Sequence, residues 1–125
     1  MFYIADDLTI HITRGDAAVL SVTASMGDVD IEFAKGDILR LKVYEKKNCA
    51  DVVMQKDVEV TEPTAEVGIV LRKEDTTIGE VISKPKDYWY EVELNPETNP
   101  QTIVGYDEEG AKIFKLYPEG GRINE

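Results

Sequence analysis

Apolar residues recur at every second position along this chain, in short runs introduced by turns. Arg14-Gly15-Asp16 leads into Ala18, Leu20, Val22 and Ala24, and Lys35-Gly36-Asp37 leads into Leu39, Leu41 and Val43. A period of two places each apolar set on one face of a pleated strand, against a core. Leu8, Ile10 and Ile12 alternate with Thr9, His11 and Thr13, and predict a strand before the first Gly-Asp turn. Val29, Ile31 and Phe33 alternate with Asp28, Asp30 and Glu32, which predicts a short edge strand with an acidic outer face. Strands are expected over Ile38 to Glu45, over Val52 to Val60 with Lys56 breaking the alternation, and over Glu66 to Leu71.

Tyr88-Trp89-Tyr90-Glu91-Val92-Glu93-Leu94 is the strongest strand pattern in the chain. Gln101 to Tyr106 and Lys112 to Tyr117 read as two strands joined by a hairpin at Asp107-Glu108-Glu109-Gly110. Only 73–82 has roughly helical spacing, and Gly79 with two threonines holds it to one or two turns. Short strands about ten residues apart, with turn residues between them, predict an all-β fold: an Ig-like two-layer antiparallel β-sandwich of about seven to eight strands. The pattern predicts one domain over 1–117 and a C-terminal tail over 118–125.

Composition narrows the chemistry. The net charge is −11, from 25 acidic and 14 basic side chains, and no lysine or arginine cluster offsets it. Such a surface repels phosphate backbones, so nucleic acid is not an expected partner. No run approaches the roughly 20 apolar residues of a membrane helix, and the first residues do not read as a secretory signal. A single cysteine, Cys49, rules out an internal disulfide and a cysteine-based zinc site; it reads as a loop residue.

Candidate catalytic groups are few. The one histidine, His11, falls on the polar phase of its strand, and none of Ser21, Ser25 or Ser83 sits in a strand-turn-helix elbow. Neither a phosphate-binding loop nor a dinucleotide fingerprint is present. Carboxylates are plentiful, but a small domain without large loops has little room for a cleft, and no enzyme activity is expected. Residues two apart on a strand stand about 6–7 Å apart, too splayed for Asp28, Asp30 and Glu32 to share one calcium ion unaided. No metal or cofactor is expected. Arg14-Gly15-Asp16 spells an integrin-binding tripeptide, but a Gly-Asp turn recurring at Gly36-Asp37 accounts for it without a receptor.

Trp89 falls on the outer phase of its strand. A large outward aromatic marks contact with a partner unless a loop or the 73–82 segment covers it. With outer-phase Ile38 and Tyr44, Trp89 forms the candidate protein–protein interface.

Leu8-Thr9-Ile10-His11-Ile12-Thr13-Arg14-Gly15-Asp16, followed by Leu20 and Val22, resembles the opening of small phage and prophage tail or baseplate proteins with an Ig-like amino-terminal domain. Phe33 to Val43 looks like their second Gly-Asp strand, and Val53-Met54-Gln55-Lys56 like the strand after it. Tyr88 to Leu94 is similar to a late Tyr-x-Tyr-Asp/Glu-Ile/Val-x-Leu strand, followed by Thr102-Ile103-Val104. The resemblance runs from about Leu8 to Leu116 and is nearest the baseplate-upper-protein type. It implies a non-enzymatic structural virion component that contacts other virion proteins or itself, as a possible homo-oligomer. Its location would be the virion, and the bacterial cytoplasm during assembly. The alternative is a free-standing Ig-like binding module for carbohydrate or a bacterial surface.

Overall fold

The computed structural model describes residues 1–26, 29–47, 51–105 and 110–119. Asp28, Cys49, Asp107 to Glu109 and 120–125 lie outside the described residues, and with them the acidic start of the expected edge strand, the cysteine loop and the end of the expected tail.

In chain order the strands are β1 (Phe2–Ile4), β2 (Ile10–Thr13), β3 (Ala18–Val22), β4 (Ala24–Met26), β5 (Val29–Ile31), β6 (Ile38–Tyr44), β7 (Val52–Glu59) and β8 (Val67–Leu71). A single helical turn, α1 (Lys73–Thr76), precedes β9 (Lys86–Leu94), β10 (Gln101–Val104) and β11 (Lys112–Tyr117). The larger sheet runs β1-β2-β11-β9-β6-β7, with β10 also on β9; β3 pairs β8, and β4 pairs β5. With β6, β9 and β11 side by side in one sheet and β3 and β8 in another, the chain is all-β and sandwich-like. Among the described residues eleven short strands stand where fewer, longer ones were expected, because Phe2–Ile4 forms an additional edge and Thr23 interrupts the run from Ala18 to Ala24.

The alternation works as the pattern predicts. Leu39, Leu41 and Val43 of β6, with Tyr88, Tyr90 and Val92 of β9, point inward and are buried against Leu20 and Val22 of β3 and Ile69 and Leu71 of β8. Ile10 and Ile12, then Phe114 and Leu116, extend that layer. Tyr90 meets Phe114 edge to face at 6.4 Å, and its hydroxyl donates to the Leu8 carbonyl. Gly15 and Gly36 hold φ of +85° and +94°, so both Gly-Asp turns use a backbone conformation that side chains disfavour.

Three expectations need correction. The sheets are not wholly antiparallel: β11 runs parallel to β2, pairing Phe114 with Ile10 and Leu116 with Ile12. These strands come from opposite ends of the chain and no tight turn joins them, so nothing forces them to oppose. Second, β11 does not fold back on β10. Val104 pairs with Val92 and Lys112 with Tyr90, so both strands run antiparallel to β9 along the same edge. Third, Leu8 is not a core strand residue; it is exposed at φ +69° in the β1–β2 turn. Lys56 interrupts the apolar alternation of β7 as expected, placing an ammonium group on the inward phase between Met54 and Val58. Its Nζ reaches Asp75 Oδ2 at 2.8 Å, tying the edge of the larger sheet to α1.

Candidate interaction surface

The outer face of the larger sheet is a lattice of opposite charges. Arg40 on β6 forks onto both carboxylate oxygens of Asp57 on β7 at 2.9 Å and also reaches Glu97 at 3.2 Å. These bonds hold Asp57 below the ordinary aspartate range, despite partial burial. Lys42 lies opposite Glu91 and contacts the Glu93 carboxylate at 2.5 Å. Lys115 on β11 stands opposite Asp87 on β9, with their charged atoms 3.9 Å apart.

One uncharged row crosses this lattice. Tyr44 on β6 stands opposite Trp89 on β9, and Trp89 stands opposite Ile113 on β11. Directly opposed residues share a face, so the three side chains form a strip about 10 Å wide. All three are half-buried, each flanked by its neighbours. Tyr44 donates its hydroxyl to Glu91 Oε1. Burial first, then that bond, then the charges of Glu91 and Glu93 push its phenol well above the ordinary tyrosine range. Tyr44 is therefore neutral at any physiological pH, a fixed donor in an otherwise acidic neighbourhood.

Of the residues the sequence singled out, Trp89 and Tyr44 are neighbours and Ile38 is not. Ile38 lies six positions from Tyr44 on β6, about 20 Å along the strand. There it borders a recess of about 310 Å³ lined also by Arg40, Asp57 and Asn95. Asn95, at φ +48°, accepts from the Ile38 N–H and donates to Asp37, which locks that corner. The 73–82 segment is tied elsewhere: its hydrogen bonds run to Arg14, Asp16 and Lys56. Ile113 joins the row instead; only the register between β9 and β11 reveals it.

His11 is half-buried rather than fully exposed. The Tyr3 ring stacks on it at 4.3 Å, and its Nδ1 lies 2.7 Å from the Tyr117 hydroxyl. Ser21 belongs to a different sheet from His11. Among the described residues, no three His, Cys, Asp or Glu side chains converge in a group able to hold a metal ion.

Arg14, read in the sequence as one letter of a turn, has its side chain buried. Its Nε donates to the Ile78 carbonyl at 3.0 Å, one terminal nitrogen donates to the Gly79 carbonyl at 2.7 Å, and the other pairs with Glu119. A buried, fully engaged guanidinium cannot be presented to a receptor, which removes the integrin reading on geometric grounds. No family model, curated protein or solved structure matches this chain.

Proposed function

We propose that this domain is a non-enzymatic structural part that works through protein contacts on the outer face of its larger sheet. On the resemblance of its Gly-Asp strands, the assembly is a phage or prophage tail or baseplate. The observation that carries the contact reading is the Tyr44–Trp89–Ile113 row. An aromatic centre ringed by paired charges matches the anatomy of a protein interface, where a few large side chains supply most of the binding energy. The row alone is smaller than the roughly 800 Å² per partner of a stable interface, so the surrounding ion pairs form the rim.

The test is Trp89→Ser, with assembly mass measured by light scattering and stability by denaturant unfolding. The substitution is expected to lower the assembly mass and leave the unfolding midpoint close to wild type. An unchanged assembly with unchanged stability refutes the contact. The virion assignment is tested separately by the genes beside this one. Tail, portal or lysis genes support it; a cluster of polysaccharide-degrading genes replaces it with a carbohydrate-binding module.

A further inference from the structure

A second surface, away from the outer face, has the construction of a strand-accepting cleft. Between the two sheets lies a cavity of about 430 Å³. Leu20, Val22 and Ala24 line one wall, and Val92, Leu94 and Ile103 the other. Two free strand edges border it. β3 pairs only with β8, and β10 only with β9, among the described residues. The amino-terminal strands that could have covered β3 join the larger sheet instead, where β2 pairs with β11 and β1 with β2. Exposed edges present unpaired N–H and C=O groups, which an extended segment can complete. The lining from Leu20 to Ser25 offers about 17 Å, room for about six extended residues.

Charge identifies the occupant. In a chain that is 31% charged, no charged residue among the described residues lines this cleft. The charged sequence neighbours of its lining residues are acidic, namely Asp7, Asp30, Glu32, Glu91 and Glu93, and Lys112, the strand partner of Tyr90, is buried and engaged. Glu91 and Glu93 turn to the outer face, whereas Asp7, Asp30 and Glu32 are exposed, as is Asp6 beside them. Leu8 adds an independent sign. It lines the cleft while 41% exposed, and it holds φ +69°, where Asn or Gly is ordinarily found. A bulky apolar side chain kept in a disfavoured backbone conformation at a cleft marks a functional constraint.

We propose that the cleft accepts an extended segment of another protein, with alternating apolar residues turned inward and lysine or arginine on the opposite phase. This chain does not supply that segment to a second copy of itself. Among the described residues, the strands with outward cations, β6 and β11, are each already paired on both edges. A further acidic chain would also meet an acidic rim. The proposal does not depend on the Tyr44–Trp89–Ile113 row.

The probe is a displayed library of random twelve-residue peptides, selected against the full chain; the enriched peptide is then synthesised and titrated by fluorescence anisotropy. Alternating apolar and basic peptides are expected to be enriched. Asp30→Lys combined with Glu32→Lys should weaken binding at least tenfold. Leu8→Asn should weaken it at least fivefold while leaving the protein no less stable, which a purely structural Leu8 would not do. Trp89→Ser should leave it unchanged. Failure to enrich any peptide overturns the proposal. So does enrichment of acidic or non-alternating peptides, affinity insensitive to these variants, or a dimer that occupies the cleft.

Discussion

Replacing Arg14 with leucine isolates the contribution of one buried cation. The leucine keeps an apolar stem but removes donors to the Ile78 and Gly79 carbonyls and leaves Glu119, only 14% exposed at its side chain, without its guanidinium. Removing one partner of a buried pair costs about 3–5 kcal/mol, because the remaining charge stays desolvated. Gly79 is exposed, so water can reach its freed carbonyl, and a loss near the lower end, about 3 kcal/mol, is expected. For 125 residues the unfolding entropy is about 0.26 kcal/mol per kelvin, which makes the loss a fall of about 11 °C in Tm. Urea unfolding checks the free energy directly, and the slope should not change, since the native surface is the same. Arg14→Lys keeps the charge but loses the planar fork and should fall between wild type and Arg14→Leu. Adding Glu119→Gln to Arg14→Leu should recover part of the loss. If Arg14→Leu costs less than about 1 kcal/mol, the three bonds do not stabilise the loop after α1 as argued.

Two further substitutions test the frame. Burial alone would raise the Asp75 carboxyl, but the Lys56 ammonium and the Arg72 N–H outweigh it and hold Asp75 below its ordinary value of 3.8. The native state therefore binds fewer protons there than the unfolded chain. The stabilisation is complete above about pH 4 and is lost as pH falls through the native value. Lys56→Gln should cost about 1 kcal/mol at neutral pH, and its gap from wild type should close in urea titrations below pH 3.8; a gap that persists at pH 2 contradicts the pairing. Gly36→Ala meets no atom within 4 Å, so any loss reports backbone conformation alone. At φ +94° it should cost about 1–2 kcal/mol in thermal or urea unfolding, and a neutral result would mean the turn rearranges.

What was legible in the sequence was phase, and what was not was adjacency. The alternation in Ile38 to Glu45 and Tyr88 to Leu94 located β6 and β9 to within two residues and gave their inward faces, because a half-buried strand writes its orientation into its own residues. Phase also placed Trp89 outward, but its neighbours Tyr44 and Ile113 follow from registers between strands distant in the chain. An acidic stretch ending in glycine looks the same whether the chain turns back or loops out and resumes its course. β10 and β11 both take the open edge of β9 rather than each other, and no local residue encodes that. The bonds of Arg14 span 64 to 105 positions, so its short turn motif carried no trace of them. The cleft is the extreme case. Leu20 and Val22 read as ordinary core residues, as their phase requires, and their strand shows an open edge only once every other strand has found its place. A surface defined by a missing neighbour is invisible to periodicity, whereas one defined by an outward aromatic is not. The two proposed contact sites of this domain divide along that line.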